Sequence, residues 1–308
     1  MRIVFMGNPE FAIPTLQSLI DSHHNIVCVI SNPPKPMGRH RKLGYTAVGQ
    51  FSRDQGLPLL EPESLISELF QKQLKEFKPD VFVVVAFRIL PKSLIDLPKR
   101  GSINLHASLL PKYRGAAPIQ WSLMNGERKT GITVFQIAPK VDTGDILLQR
   151  GLPIKPEDDF FSLGTRLSKE GAVLILKALS NLESDPSSSI QQNSSLASSA
   201  PKISKEMTII DWSWPRYKIH NWIRGLSPKP GMSTMLVGKK FRIYKTKPIS
   251  NESGLPGEII KLDKNVLWIA TGDGALSILE VQLEGKRKMK IDDFLRGSTL
   301  RQGAFFGT

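Results

Sequence analysis

A single cysteine, Cys28, stands in a chain of 308 residues. An internal disulfide and a cysteine-rich metal centre are thereby excluded, and such usage fits a reducing compartment, the cytoplasm. Within the run NIVCVISN, Cys28 reads as small apolar strand filling. Long hydrophobic runs are missing too. The longest, Val81 to Phe87, has seven residues, far short of the ~20 that span a bilayer as a helix, so no membrane partner is expected. No H-E-x-x-H motif occurs, which leaves no standard zinc constellation and no expected metal. The opening MRIVFMGNPEFAIP has Gly7, Asn8, Pro9 and Glu10 where a secretion signal would continue its apolar stretch. It also lacks G-x-G-x-x-G, because Gly7 stands alone in that turn. A strand, a turn and a helix are indicated there, but not a dinucleotide site.

Negative charge is the minority sign. The net charge is +14, and it is uneven: residues 202–308 hold 19 Lys and Arg against 10 Asp and Glu, while residues 1–201 hold 23 against 18. A basic surface concentrates polyanions and releases counterions when phosphates bind. A merely solubilising surface explains the same numbers, and charge alone leaves both readings open.

The length suits two domains. RIVFMG, NIVCVISN and PDVFVVVAF are apolar strands, the last without alternation, as in a strand covered on both faces. Helical spacing is found over Glu10 to Asp21, Ser64 to Phe77 and Thr165 to Leu182. Alternating strands and helices predict an α/β fold with an open, mainly parallel sheet. GITVFQIA and DILLQRGLPI read as paired strands, and Ser184 to Ala200 loses all periodicity and reads as a Ser-rich linker. Beyond it come a short helix, Tyr217 to Arg224, stopped at Gly225, and strand runs KKFRIYK, GEIIKL, VLWIAT and ALSILEVQ between Gly and Asp turns. They suit a small β-barrel. The expected division is 1–189, a linker over 190–207, and 208–308.

SINLHAS would be a further parallel strand, on which Asn104 and His106 share one face while Ile103 and Leu105 take the other. In open α/β sheets ligands sit at the carboxyl ends of strands, where these two polar residues fall. Asp142 follows in a loop, Pro139 to Gly144. Singly, a strand-end histidine is often structural, and an aspartate before Thr-Gly is often turn chemistry. Together the three supply what acyl transfer needs: N–H donors for an oxyanion and a carboxylate that orients an imidazole and passes a proton.

INLHASLLPKYRGAAPIQW, followed by TGITVFQIAPKVDTGDILLQ, resembles the signature of the 10-formyltetrahydrofolate-dependent formyltransferases. The two motifs agree with it in residue type, order and spacing. The resemblance implies a catalytic trio of Asn104, His106 and Asp142, and a folate contact at Ser108, Leu109, Leu110 and Pro111. It also implies a pterin pocket along Phe87, Arg88, Ile89 and Leu90, a stretch that lacks the glycine usual in the family. Phe87 and Ile89 could equally be ordinary strand packing. The similarity continues through IDW, IHNWIRGLSPKPG and GKRKMKIDDFLRG, which points to the branch whose acceptor is the methionine carried by initiator tRNA. That branch implies a Rossmann-like first domain, an oligonucleotide-binding (OB) type of C-terminal barrel, 10-formyltetrahydrofolate as co-substrate and a monomer. Its tRNA-entering loop would be NPPKPMGRHRKLG, with Lys35, Arg39, Arg41 and Lys42 as contacts. Charge runs of this kind are otherwise solvated loops. Formyl transfer to a small amine would use the same trio, and an inactive RNA-binding relative would keep only the basic third.

Overall fold

The structure is a computed structural model that describes residues 1–37, 42–185 and 189–307. The chain folds into two compact units: 1–118, 129–153 and 164–200 form the first, and 119–128, 154–163 and 201–308 the second. The residues read as linker are thus divided, with 190–200 in the first unit and 201–207 in the second.

In chain order the first part of the molecule runs β1 (Arg2–Gly7), α1 (Ile13–Ile20), β2 (Asn25–Ile30), β3 (Lys35–Met37), β4 (Lys42–Gly44), α2 (Ala47–Asp54), β5 (Leu59–Leu60), α3 (Glu68–Glu76), β6 (Val81–Val85), α4 (Lys92–Ile95), β7 (Ser102–His106), α5 (Pro118–Met124), β8 (Lys129–Gln136), β9 (Ile146–Pro153) and α6 (Phe160–Ser184). Seven strands make one sheet in the order β5-β2-β1-β6-β7-β8-β9. The first five of that order are mutually parallel, and β8 and β9 are antiparallel additions. From β1 the chain builds outward to β2 and β5, then returns to build β6 and β7 on the other side. Such a reversal opens a crevice above the carboxyl ends of the strands, and β7 delivers His106 to that end.

Side chains of both parities are buried along the central strands, with Ile3, Val4, Phe5 and Met6 all at 0% exposure, as a sheet covered on both faces requires. One face packs Val4, Met6, Cys28, Ile30, Phe82 and Val84 against Phe70, Leu74 and Leu94 of α3 and α4. Burial in this layer pushes the Cys28 thiol up to about 12. At neutral pH it stays a protonated, unreactive thiol. Reaction with a disulfide reagent is therefore expected only at the rate of global opening, and a burst of labelling in native buffer would contradict that packing.

The α3 helix starts later than the apolar spacing suggests. Ser67, with extended backbone, caps it by accepting from the Phe70 N–H at 3.5 Å, and Leu65 enters the core from the turn that precedes it. A cap residue ends the useful periodicity from within.

The second unit contains α7 (Arg216–Leu226), β10 (Met232–Leu236), β11 (Lys239–Ile249), β12 (Ile259–Asp263), β13 (Val266–Thr271), β14 (Gly274–Leu283), β15 (Met289–Lys290) and α8 (Ile291–Leu295). Its antiparallel sheet runs β10-β11-β14-β13-β12, with β15 on β14, over a core that includes Ile219, Ile223, Phe241, Ile243, Ile269 and Ile278. The expected barrel is not closed: among the described residues no ladder joins β10 to β12. Backbone near the chain end binds both margins instead. Ile259 N–H donates to Ala304 O at 2.8 Å, Phe306 N–H to Gly257 O at 2.8 Å, and Gly307 N–H to Met235 O at 3.0 Å. Edge strands that would complete a barrel can satisfy their backbone groups in this way without pairing directly.

Gly225 does not stop α7, which continues through Leu226. A Cβ there would lie 2.9 Å from Met124 Cγ and 3.1 Å from Gln120 O. The glycine permits α5 and α7 to touch.

Candidate active site

On β7, Ile103 and Leu105 are buried at 0% and 3% exposure. Asn104 is partly exposed, and its side-chain amide has no hydrogen-bond partner among the described residues. His106 is 7% exposed, with its ring edge-on to Phe135 at 6.4 Å between centroids.

Hydrogen-bond chemistry fixes the histidine tautomer. Its Nε2 lies 2.8 Å from the carbonyl oxygen of Tyr113. A carbonyl cannot donate, so Nε2 must carry a hydrogen. The other nitrogen, Nδ1, is left to exchange a proton, and it faces Asp142 Oδ2 at 3.7 Å. That distance is slightly longer than a direct hydrogen bond. Both side chains are nearly enclosed, at 8% and 10% exposure, which limits competing contact with bulk water.

Asp142 sits in the left-handed backbone region, with φ 53°. A bond from the Gly115 N–H to Asp142 Oδ2, 2.8 Å long, fixes the carboxylate. One oxygen is thereby shared between a backbone donor and the imidazole.

The Ser108–Pro111 turn is braced from beneath by β8 and β9. Thr133 Oγ1 donates to Ser108 O at 2.7 Å and accepts from Leu110 N–H at 3.1 Å, while Gln149 Nε2 donates to Leu110 O at 2.7 Å and Thr133 Oγ1 at 2.9 Å. Ser108 Oγ bonds Lys112 O at 2.6 Å, and Leu110 packs with Phe135 and Ile146. Leu109 and Pro111 remain partly exposed.

The stretch after β6 is heterogeneous. Phe87 packs partly on the core, Leu90 is buried within it, and Ile89 is 74% exposed. Arg88 donates to Pro62 O at 2.8 Å and Glu63 O at 3.0 Å, and burial lowers its pKa from the ordinary arginine value. Just before them Ala86 takes φ 50°, a left-handed turn made without glycine. Of the basic loop, Lys35 is exposed on β3, Lys42 lies in β4, and Arg39 and Arg41 fall outside the described residues.

Several residues that build the site have no signature of their own. Tyr113 supplies a carbonyl and Gly115 an N–H; their place inside the KYRGAAP stretch is the only sequence hint. Gln192, within the Ser-rich segment, has none.

The Formyl transferase family description matches residues 1–179 and the Formyl transferase, C-terminal domain, matches residues 202–299. The chain belongs to the formyl transferase family and is a formyl-transferring enzyme. It is 41% identical over 308 residues to the methionyl-tRNA formyltransferase of Agathobacter rectalis, covering 99% of both chains. With that of Geobacter metallireducens it shares 42% over 308 residues, covering 100% of this chain and 99% of the relative. The fold also matches HypX from Aquifex aeolicus, solved in complex with tetrahydrofolic acid, at TM-score 0.68 and 20% identity, over 99% of this chain and 50% of that one.

Proposed function

We propose that this protein transfers the formyl group of 10-formyltetrahydrofolate to the α-amino group of methionyl initiator tRNA. Identity of 41% and 42% over 308 residues with relatives named for that reaction supports the acceptor. The observation that carries the chemistry is a histidine pinned through Nε2, with Nδ1 turned to a backbone-held carboxylate, beside an uncommitted amide at the carboxyl end of β7.

The donor supplies a one-carbon unit at the formyl level, held on a weakly basic arylamine nitrogen. Asn104 offers amide N–H groups to the formyl oxygen as it gains charge, and one such donor typically lowers the barrier by about 3 to 4 kcal/mol; His106, held through Nε2, orients the Asp142 carboxylate beside it. As the new C–N bond forms, the acceptor nitrogen must lose a proton. As the old C–N bond breaks, the departing nitrogen must gain one. In this reading Asp142, paired with His106, takes the first and returns it to the second. Ser108 to Pro111 and the Phe87–Leu90 stretch hold the folate in this reading, with Ile89 and Leu109 offering the accessible apolar surface and Arg88 bracing the chain.

Lys35, Arg39, Arg41 and Lys42 contact the acceptor end of the tRNA, and the basic second unit, an OB-like sheet, holds more of its backbone. A weak first base pair in the initiator costs little to open, so deformability contributes to the choice. The protein acts as a cytoplasmic monomer. Arg41→Ala is expected to weaken productive tRNA binding and reduce the slope of log affinity on log salt by about 1, leaving folate affinity unchanged. Equal losses for initiator and nonspecific RNA would make the contact purely electrostatic.

The deciding experiment mixes the protein with 10-formyltetrahydrofolate and either charged initiator tRNA, charged elongator tRNA or a small amine. Formylation restricted to the initiator is expected. Turnover of the small amine but not the tRNA would overturn the acceptor assignment, and tight tRNA binding without turnover would overturn the activity.

A further inference from the structure

Residues 190–200 of the Ser-rich segment are fastened at both ends within the first unit. Ile190 and Ile146 exchange two backbone bonds of 2.8 Å at the start of β9. Further on, Tyr113 N–H donates to Ser198 Oγ at 2.9 Å, Arg114 N–H to Ser198 O at 2.8 Å, and Ala200 N–H to Arg114 O at 2.7 Å. Between these fastenings Gln192 is drawn inward to 8% exposure.

Every hydrogen-bonding position of the Gln192 amide is in use. Its Nε2 donates to Gly144 O at 2.7 Å and Asp142 O at 3.0 Å; its Oε1 accepts from Arg114 Nη2 at 2.7 Å and Nε at 3.1 Å. The amide cannot be reversed, because a guanidinium only donates and a carbonyl only accepts. Arg114 therefore orients the side chain, and the side chain grips the turn on both sides of Thr143. That turn holds Asp142 in a left-handed conformation, which aspartate tolerates better than most residues but which still costs energy that the surrounding bonds offset.

We propose that Gln192 is a positioning residue for formyl transfer: its amide, aligned by Arg114, holds the Asp142–Gly144 carbonyls and so sets the Asp142 carboxylate against His106. The assignment rests on the role given to Asp142 in the proposed reaction. At 8% exposure Gln192 is turned inward, its amide committed to Arg114 and the Asp142–Gly144 turn. Its effect belongs in the chemical step rather than in binding.

Two variants separate the parts of the clamp. Gln192→Met fills nearly the same volume without donors; Gln192→Glu keeps the acceptor for Arg114 but sets an oxygen against two carbonyls. Both are expected to lower kcat about ten- to thirtyfold, as losses in a supporting shell do, with KM for folate and for tRNA within about twofold of wild type. Unchanged kcat in both would overturn the proposal. Because the effect passes through Asp142, Asp142→Asn combined with Gln192→Met should be no slower than Asp142→Asn alone, within about twofold. A fully multiplicative loss would show that Gln192 merely supports the fold. Hydrogen exchange at the Gly115 amide, which donates to Asp142 Oδ2, gives a readout without turnover. Gln192→Glu, which retains the Arg114 pair should the Met variant fail to fold, is expected to speed that exchange about tenfold while β6 and β7 amides stay protected. Unaltered Gly115 exchange would refute the clamp even if the acceptor proved to be something other than tRNA, and lack of tRNA formylation by the wild type would refute the reaction while this exchange still decided the clamp.

Discussion

Asp142→Asn is expected to slow formyl transfer at least ~100-fold while leaving tRNA affinity nearly unchanged. The substitution preserves shape. An asparagine oxygen can still accept from the Gly115 N–H, now at 2.8 Å, and the carbonyls held by Gln192 are untouched. What disappears is the carboxylate that faces His106 Nδ1 and can take up a proton. An amide can orient the ring through a hydrogen bond, but it cannot accept the proton that the attacking amine must shed. The deficit should therefore persist at saturating substrate and in single-turnover formylation, where product release plays no part. Asn104→Ala and His106→Ala are expected to lose a comparable factor for different reasons, the first removing an N–H aimed at developing negative charge and the second the imidazole that pairs with Asp142. Near-normal rates in two of the three variants would discredit the site.

The same residues show how far local pattern reaches. Alternation along β7 places Asn104 and His106 on one face, and the apolar runs around them identify a parallel sheet that ends there. Motif resemblance supplies Asp142, because no periodicity links a loop residue to a strand thirty-odd positions earlier. The pairing itself, Nδ1 to Oδ2 at 3.7 Å, depends on backbone donors and acceptors at Tyr113 and Gly115 that no side-chain pattern encodes. Gln192 is hidden for a related reason. A Ser-rich stretch without apolar spacing looks like a linker, since the usual signal reports hydrophobic burial; residues 190–200 are anchored instead by backbone bonds, the Ser198 hydroxyl and the Gln192 amide. In the second unit, strand count is legible and closure is not. Whether two edge strands meet depends on curvature and on the chain end, which occupies both margins through Ala304, Phe306 and Gly307.

These features imply that the proposed acid–base pair is supported from three directions: β7 carries the imidazole, the 113–115 backbone fixes the far ring nitrogen and the carboxylate, and Gln192 holds the turn from outside. None supplies charge to the reaction. Together they restrict a short loop to one conformation, which proximity effects of this kind require, because a displacement of about 1 Å in a reacting group can cost ~100-fold in rate.

Gly144→Ala tests that restriction by force. A Cβ built at Gly144 would collide with Gln136 O and lie 2.8 Å from Gln136 C, closer than real contacts allow. The obstructing atoms are backbone, so rotation of a side chain brings no relief. Nor can that backbone easily retreat: Gln136 N–H is bonded to Asp145 O at 2.9 Å, and Ile137 N–H to Ser102 O at 2.7 Å. The loop must move instead, taking Asp142 with it. Destabilisation of about 3 kcal/mol, the upper end for overpacking, is expected in urea unfolding, together with loss of at least ~100-fold in turnover of the folded fraction. Gly297→Ala is the control, since nothing lies within 4 Å of its added Cβ, and it should stay within about 0.5 kcal/mol of wild type. If Gly144→Ala proved as mild as Gly297→Ala, the turn would have room to relax, and the tight placement of Asp142 on which the proton transfer depends would be refuted.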